Sequence, residues 1–223
     1  MADLHLVIGN KSYSSWSLRP WIAMKAQGLA FRETVIGLQR PETTAEIQKY
    51  SAAGKVPVLI HGDITVWESL AIIDYLADMF PEKPWWPKAP AARALARAAA
   101  AEMHAGFSNL RNHMTMNLRT SVPTKSRPDP VNADIARIAA LWNECRSRAG
   151  KDGPFLFGAF SNADAMYAPV VTRFKTYGVI PTLDPIAQAY CEAVLAFPAM
   201  KEWYAGAAAE DVAIPLYESL ALA

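Results

Sequence analysis

The first 80 residues alternate short apolar runs with a segment of helical spacing. Residues 4–8 (LHLVI) form an apolar run that predicts a buried strand, and residues 31–38 show the imperfect alternation of a second strand. Between them, apolar positions recur at helical intervals over residues 15–27, and Gly28 follows where a helix commonly ends. The pattern therefore predicts a β-α-β arrangement at the start of the chain.

A tight turn separates the next two apolar runs. Residues 58–60 and 64–67 flank the sequence His-Gly-Asp at residues 61–63, which has the spacing and chemistry of a β-hairpin. After the hairpin, apolar residues recur every three positions from Ser69 onward, which predicts a helix. The order becomes βαβ, a connection, and then ββα.

A proline-rich stretch divides the chain. Residues 81–90 (PEKPWWPKAP) have a proline at every third position, which prevents a continuous helix and favours an extended connector. From Ala91 onward the sequence favours helices, first in an alanine-rich segment and then near residues 132–149, 163–177, 184–196 and 199–209. We therefore predict an α/β domain over 1–80, a linker over 81–90 and an all-α domain over 91–223.

Composition and charge argue against nucleic acid and membranes as partners. The 223-residue chain is 52% hydrophobic, and its 22 basic and 21 acidic residues give a formal net charge of +1. This balance gives no field that would hold nucleic acid or an anionic membrane. No apolar run approaches the ~20 residues that cross a bilayer, and the first residues lack the features of a signal peptide. We expect a cytoplasmic protein with small or neutral partners, no nucleic acid and no membrane.

The cysteines and histidines indicate no metal site. Cys145 and Cys191 lack any metal-ligand spacing and lie in periodic apolar stretches, so we expect buried thiols. The four histidines do not cluster, and they show no spacing that nominates a catalytic base. Because there is also no GxSxG motif, a serine hydrolase triad is disfavoured.

Two dipeptides are candidate binding elements. Pro57 at a strand entry suits either an ordinary strand edge or a cis peptide bond, which would turn the Val56 backbone outward to pair with an extended peptide. Ser69 has two interpretations. It is either a helix N-cap, or its hydroxyl and the exposed N–H groups of its helix bind a carboxylate. In the second case, the adjacent Glu68 carboxylate would bind an ammonium group. Together the binding alternatives suit the amino-acid head of a small peptide.

Serines crowd the start of the first predicted helix. Ser17 is well placed as the N-cap, with Pro20 in the first turn. Ser14, just ahead of the helix, could donate a hydrogen bond to a thiolate, which a helix N-terminus also stabilises. This serine would stabilise a nucleophile and would not itself be one.

A second helix start carries a capping box. Ser161 and Asp164 have the S-x-x-D spacing, and Phe157 or Phe160 could act as the hydrophobic staple. We expect this pair to be structural.

These motifs occur in an order that resembles the cytosolic glutathione S-transferase superfamily over almost the whole chain. The shared features are the S-x-x-S helix start, Val-Pro followed by Glu-Ser, the proline-containing linker and the G-x-x-S-x-A-D box at residues 158–164. The resemblance, to a serine-type bacterial member, implies a thioredoxin-like N-terminal domain and an all-helical C-terminal domain. It also implies glutathione as co-substrate and a homodimer.

The resemblance also implies a role for each motif residue. Ser14 matches the serine that hydrogen-bonds the glutathione sulfur, and Ser15 and Ser17 are rivals that spacing does not separate. The implied glutathione-binding set is Lys55 near the glycyl carboxylate, Val56 and Pro57 beside the cysteinyl part, and Glu68 with Ser69 at the γ-glutamyl head.

The segment at residues 14–21 (SSWSLRPW) looks most like the zeta-class pattern SSCSxRVR, which suggests maleylacetoacetate isomerase chemistry. Trp16 replaces the cysteine of that pattern, which argues against chemistry that needs a thiol there. The candidates for the electrophile pocket are Trp16, Met103, Phe107, Arg111 and Met114. We favour a glutathione transferase that acts on a small electrophile, with the isomerase and a non-catalytic interaction module as alternatives.

Overall fold

The N-terminal part of the chain is a four-stranded sheet with three helices. The computed structural model describes residues 3–222. The strands are β1 (Leu4–Gly9), β2 (Arg32–Ile36), β3 (Val58–His61) and β4 (Ile64–Trp67), and the helices are α1 (Ser15–Ala26), α2 (Thr43–Gln48) and α3 (Ser69–Met79). The predicted βαβ and ββα order is confirmed, with α2 lying in the connection between its two halves.

Strand β1 lies inside the sheet, whose order is β2-β1-β3-β4. It runs parallel to β2 and antiparallel to β3, which forms a hairpin with β4. Leu6 and Ile8 face the large core, whereas Val7 packs with Ile47 of α2 on the other face. Both faces of β1 are covered, which explains why its sequence is a continuous apolar run.

The rest of the chain is helical, which confirms the predicted class of α/β followed by all-α. Its helices are α4 (Pro90–Ala105), α5 (Ser108–His113), α6 (Asp129–Ala149), α7 (Asn162–Thr176), α8 (Pro185–Ala196), α9 (Pro198–Ala208) and α10 (Pro215–Leu222), with a 3₁₀ turn at Ile180–Thr182. Helices α2, α5 and α10 were not predicted because six to eight residues are too few to show helical periodicity. The domain bounds at 1–80, 81–90 and 91–223 stay predictions.

Helix α1 is buried along almost its whole length. Nine of its twelve residues are buried, and it contacts α3 on the sheet side and α7 and α9 on the helical side. A helix in this position reaches solvent only near its ends. The N-terminal end of α1 therefore lies where the sheet and the helical part meet.

The two cysteines are buried, as predicted. Burial raises the pKa of both the Cys145 thiol and the Cys191 thiol to about 12, so neither is a nucleophile near neutral pH. Among residues 3–222, no helix is long and apolar enough to cross a membrane.

The start of α7 is organised by the carboxylate of Asp164. Its Oδ2 atom accepts hydrogen bonds from the Ser161 N–H (2.8 Å) and from the Ser161 hydroxyl (2.9 Å), while Oδ1 accepts the Leu156 N–H (3.0 Å). Burial raises the pKa of Asp164 to about 6, and these hydrogen bonds oppose that rise. The carboxylate therefore satisfies three donors in the interior, one of which lies in the loop before the helix.

We expect the Asp164→Ala variant to lose about 3 kcal/mol or more of unfolding free energy, because each orphaned buried donor costs about 1–3 kcal/mol. Urea denaturation measures this loss. The matched control is Asp184→Ala at the N-cap of α8, where the carboxylate lies nearer the surface and accepts the N–H groups of Ile186 and Ala187 and the side-chain amide of Asn143. That variant should lose about 1 kcal/mol. Equal losses in the two variants would contradict the special role of Asp164.

Candidate functional site

A cleft of about 510 Å³ lies at the N-terminal end of α1. Its walls come from the α1 start, residues 54–56, α2, α5 and the segment after it, α7 and α10. A smaller pocket of about 170 Å³ adjoins it, lined by Trp16, Lys55, Val56, Pro57, Trp67 and Glu68. The two pockets share Trp16, Lys55 and Val56, so they form one site with two compartments. Every predicted glutathione-binding residue except Ser69 lines one or both of them.

The turn before α1 fixes Ser14 at the wall of the large compartment. The Ser14 N–H donates to the Asn10 carbonyl (2.8 Å), and the Ser14 carbonyl accepts the Leu18 N–H (3.2 Å). Asn10 is in turn held by the Leu38 N–H, which donates to its side-chain oxygen (2.7 Å). Ser14 is the N-cap residue of α1, but its hydroxyl makes no capping hydrogen bond to the helix backbone.

The prediction that Ser17 caps α1 is wrong. The helix begins at Ser15, so Ser17 lies inside its first turn and Pro20 lies beyond that turn, inside the helix. The Ser17 hydroxyl oxygen accepts the Gly9 N–H at the end of β1 (3.1 Å) and lies 2.7 Å from the hydroxyl oxygen of Ser14. Residue type and spacing do not separate a cap from a serine three positions later, because the two differ only in backbone conformation.

The residues on either side of Ser14 differ in the hydrogen bonds that their hydroxyl groups form. The Ser15 hydroxyl has no hydrogen-bond partner among residues 3–222. The Tyr13 hydroxyl donates to Glu218 of α10 (2.6 Å) and accepts the Ile214 N–H (3.2 Å). Burial raises the pKa of Tyr13 to about 12. Tyr13 is thus tied to the C-terminal helix, whereas Ser14 and Ser15 face the cleft.

The backbone of Val56 is open toward both compartments. The Val56–Pro57 peptide bond is cis, and β3 begins only at Val58. In the described part of the chain, neither the N–H nor the C=O of Val56 has a hydrogen-bond partner. Lys55 next to it is exposed and forms no ion pair there. This segment offers an unpaired donor, an unpaired acceptor and a cation along the shared wall.

Glu68 and Ser69 form the start of α3. Glu68 has a φ of +72°, a backbone conformation that is strained for a residue with a side chain, and it occupies the cap position that Ser69 might have taken. Ser69 is the first residue of the helix and is 1% exposed. Its hydroxyl oxygen is buried without a partner in the described structure. The orphaned hydroxyl and the free N–H groups of the first turn favour an anion.

Trp16 stands between the compartments and against three basic side chains. The Arg19 guanidinium carbon lies 3.9 Å from the centroid of the Trp16 ring, and that of Arg111 lies 5.4 Å away. The His104 ring meets the indole edge-on at 5.4 Å. These contacts fix the indole, which is part of the wall of both compartments.

Three arginines lie beside the cleft, and none has a carboxylate partner in the described part of the chain. Arg111 and Arg173 line the cleft, and Arg19 lies fully buried behind Trp16. Each guanidinium donates its Nε–H to a backbone carbonyl, respectively of Gly106, Met114 and Met166. Among residues 3–222 none of the three forms an ion pair, and both terminal nitrogens of Arg19 lack a partner.

The pKa values of Arg19, Arg173 and the nearby His104 are all lowered. Burial, reinforced by Arg173 and Arg111, holds the pKa of Arg19 well below its usual range. Burial also lowers the pKa of Arg173 to about 10. The pKa of His104 is lowered by burial and by Arg19. A site that penalises positive charge in this way favours a bound anion.

Three of the predicted pocket residues do not line the cleft. Met103, Phe107 and Met114 are buried in the core, at 0%, 8% and 0% exposure, which corrects that prediction. Trp16 and Arg111 do line it. Arg173 and the contribution of α10 were not predicted, because the first comes from a helix remote in sequence and the second from a short segment without a local signal of a cleft. Residues 3–222 contain no group of three or more side chains suited to a metal ion.

Family models of glutathione S-transferases match both parts of the chain. The model of the N-terminal domain matches residues 13–79, and the model of the C-terminal domain matches residues 128–206.

Three relatives are similar to this chain, two of them named glutathione S-transferases and one named an isomerase. A zeta-class glutathione S-transferase of Euphorbia esula is 31% identical over 188 residues, covering 80% of this chain and 82% of its own. Glutathione S-transferase 1 of Dianthus caryophyllus is 40% identical over 107 residues, 48% of each chain. A probable maleylacetoacetate isomerase of Caenorhabditis elegans is 32% identical over 108 residues, 48% of this chain and 50% of its own. The chain therefore spans about half the length of these last two relatives.

Solved structures share the fold. The crystal structure of a glutathione transferase homolog from Burkholderia gl BGR1, with bound glutathione, matches with a TM-score of 0.71 and 21% identity. The match covers 93% of this chain and all of that one.

Proposed function

The chain belongs to the glutathione S-transferase family, and on this basis we propose that it binds glutathione and activates its thiol for addition to a small electrophilic molecule. The observation that carries the proposal is the shared wall of the two compartments. There, the Ser14 and Ser15 hydroxyls, the unpaired backbone of Val56 and the Glu68 side chain border one continuous space.

Glutathione would lie along this wall as an extended peptide. Its γ-glutamyl carboxylate would accept hydrogen bonds from Ser69 and the first turn of α3, and its ammonium would pair with Glu68. The cysteinyl part would pair with the open backbone of Val56, as an added strand does. Lys55 would lie near the glycyl carboxylate. Binding in this way would give the buried Ser69 hydroxyl the partner that it lacks.

The thiolate of glutathione would be stabilised at the α1 start. Ser14 would donate a hydrogen bond to the sulfur, with Ser15 as the rival donor. Positive charge at a helix N-terminus and nearby cations lower a thiol pKa from about 8.5 toward or below neutrality. The α1 N-terminus and the arginines beside the cleft supply both effects. The sulfur lone pair would then form a C–S bond with the electrophile, whose leaving group or conjugated carbonyl takes the displaced electrons.

We expect Ser14→Ala to raise the pKa of the bound thiol by roughly 1–2 units, because a hydrogen bond to a charged group contributes about 1.5–3 kcal/mol. Turnover should fall by roughly tenfold or more at neutral pH, and glutathione affinity should change little. The pH dependence of thiolate absorbance and titration calorimetry measure these quantities.

The matched variant is Ser69→Ala, at a residue that is buried next to Glu68 behind the wall of the smaller compartment. It should weaken glutathione binding and leave the thiol pKa unchanged. An unchanged thiol pKa in Ser14→Ala would remove Ser14 from this role and direct the same test to Ser15. Absence of glutathione binding by the wild-type chain would refute both enzyme proposals and favour a non-catalytic interaction module.

A second candidate function is glutathione-dependent cis–trans isomerisation of the maleylacetoacetate type. The arginine cluster favours it, because within residues 3–222 neither Arg111 nor Arg173 has a carboxylate partner, and an acidic substrate would supply one. The thiolate would add to a conjugated double bond, allow rotation about the resulting single bond, and leave again. Glutathione would therefore not be consumed.

Counting glutathione before and after turnover separates the two functions. For the isomerase, Arg111→Gln should raise KM for an acidic substrate by roughly 10- to 100-fold, since charge-assisted hydrogen bonds contribute about 1.5–3 kcal/mol. The control is Arg137→Gln, whose guanidinium pairs with Glu102 on the surface. Stoichiometric loss of glutathione, with equal KM values in both variants, would exclude the isomerase.

The homodimer and the cytoplasmic location implied by the family resemblance belong to the same proposal. Ile64 and Trp67 on the edge strand β4 and Met79 at the end of α3 are large apolar side chains that remain about half exposed. Large apolar side chains exposed to this degree suit contact with a second copy of the chain. A sedimentation mass equal to one chain at micromolar concentration would contradict the dimer.

A further inference from the structure

One side of the large compartment comes from the helical part of the chain. Its apolar members are Met116, Tyr217 and Leu220, and the last two belong to α10. We refer to these three side chains as the helical wall. In the proposed binding mode the glutathione peptide lies along Val56, so the helical wall is left for the group that becomes joined to the sulfur.

Polar contacts, and not burial, hold α10 in place. Of its eight residues, all of which the structure describes, only Ala221 is buried. Leu216 and Leu222 are exposed to 47% and 70%, so the helix gains little from apolar packing. Lys125 Nζ donates to the Leu220 carbonyl (2.8 Å) near the end of the helix. The position of the helical wall therefore depends on a small number of specific contacts.

Tyr13, which precedes the α1 start, supplies further contacts to α10 and to the residue before it. Its hydroxyl donates to Glu218 Oε1 (2.6 Å) and accepts the Ile214 N–H (3.2 Å). Its ring stacks on that of Tyr217, with the centroids 5.2 Å apart and an angle of 20° between the planes. Arg119 Nε also lies 3.8 Å from the same Glu218 oxygen. The residue next to Ser14 thus fixes the segment that carries most of the helical wall.

The hydrogen bonds of Tyr13 leave no donor for the sulfur of glutathione. A tyrosine hydroxyl has one hydrogen, and here that hydrogen is donated to the Glu218 carboxylate. Burial and this hydrogen bond raise the pKa of Tyr13 to about 12, so the hydroxyl stays protonated at neutral pH. Tyr13 nevertheless lines the cleft. It can therefore shape the cleft without donating a hydrogen bond to the thiolate.

We propose that Tyr13 is a positioning residue for the electrophile: through Glu218 it holds α10 so that Tyr217 and Leu220 form the wall against which an apolar group on the sulfur packs. The inference rests on the proposed function, in which the sulfur lies at Ser14 and the peptide along Val56. It assigns the recognition of an apolar or aromatic electrophile to the helical wall. Activation of the thiol stays with the serines.

The test is the binding of glutathione and of S-benzylglutathione, a conjugate with an apolar aromatic group on the sulfur, to the full chain by titration calorimetry. The wild-type chain should bind the conjugate roughly tenfold more tightly, because the benzyl group buries apolar surface against the helical wall. Tyr13→Phe keeps the ring and removes the hydroxyl, so it should lower the affinity for the conjugate about 3- to 10-fold, the effect of one hydrogen bond. The affinity for glutathione and the pKa of its bound thiol should stay unchanged.

Glu218 provides a second variant, at a half-buried residue that lines neither compartment. Glu218→Ala removes the acceptor and should match Tyr13→Phe, whereas Glu218→Gln retains an acceptor oxygen and should retain the affinity for the conjugate. If Tyr13 acts through Glu218, the double variant of Tyr13→Phe with Glu218→Ala should lose no more affinity than either single variant. The matched control is Ser219→Ala on the same helix, whose hydroxyl donates to the Leu216 carbonyl (2.9 Å). This control should leave both affinities unchanged.

The outcomes separate the inference from the proposed function. Wild-type affinity for the conjugate in Tyr13→Phe or in Glu218→Ala would overturn the positioning role. An equal loss of affinity for both molecules, or a raised thiol pKa in Tyr13→Phe, would also overturn it, because Tyr13 would then act on glutathione itself. If the wild-type chain binds the conjugate no more tightly than glutathione, the inference fails and the proposed function stands. If the wild-type chain binds neither molecule, the proposed function fails, and the role of Tyr13 fails with it.

Discussion

The burial of helix α1 is the constraint on which the rest of the site depends. The helix lies between the sheet and α7, so most of its side chains are enclosed by protein. Polar groups along it must find partners inside, as Ser17 does with the Gly9 N–H. Only the N-terminal turn reaches the cleft, and there Ser14, Ser15 and the positive end of the helix dipole lie together. Close packing thus places the donors that a thiolate needs at the junction of the two parts.

The same packing places uncompensated positive charge behind those donors. Arg19 projects from the buried helix, stacks on Trp16 and has no carboxylate partner in the described structure. Arg111 and Arg173 approach from the helical part. A buried cation without a counterion is costly, so a bound anion relieves the cost. The proposed conjugation and the proposed isomerisation both begin with a thiolate. The three arginines would stabilise that thiolate in either reaction.

The periodic spacing of apolar residues made the fold predictable. The site depends on helix starts, side-chain directions and contacts between remote segments, which this spacing does not determine. The strands around residues 4–8 and 64–67 were expected close to their observed bounds. Ser17 was misassigned because hydroxyl spacing cannot say whether a helix starts three residues earlier. Met103 was misplaced because the direction in which a helix face points depends on the elements packed against it. Arg173 reaches the cleft from a helix that is remote in sequence, so no local pattern could have identified it.

Two acid–serine pairs show how the structure separates motifs that look alike in sequence. Ser161 is the N-cap of α7 and Asp164 lies in its first turn, where the carboxylate accepts three hydrogen bonds from within the chain. Glu68 and Ser69 begin α3, with a strained φ at Glu68 and an orphaned hydroxyl at Ser69. A fully satisfied pair stabilises the fold by itself. A strained and unsatisfied pair beside a pocket lowers stability until a ligand completes it, which is the property of a binding site.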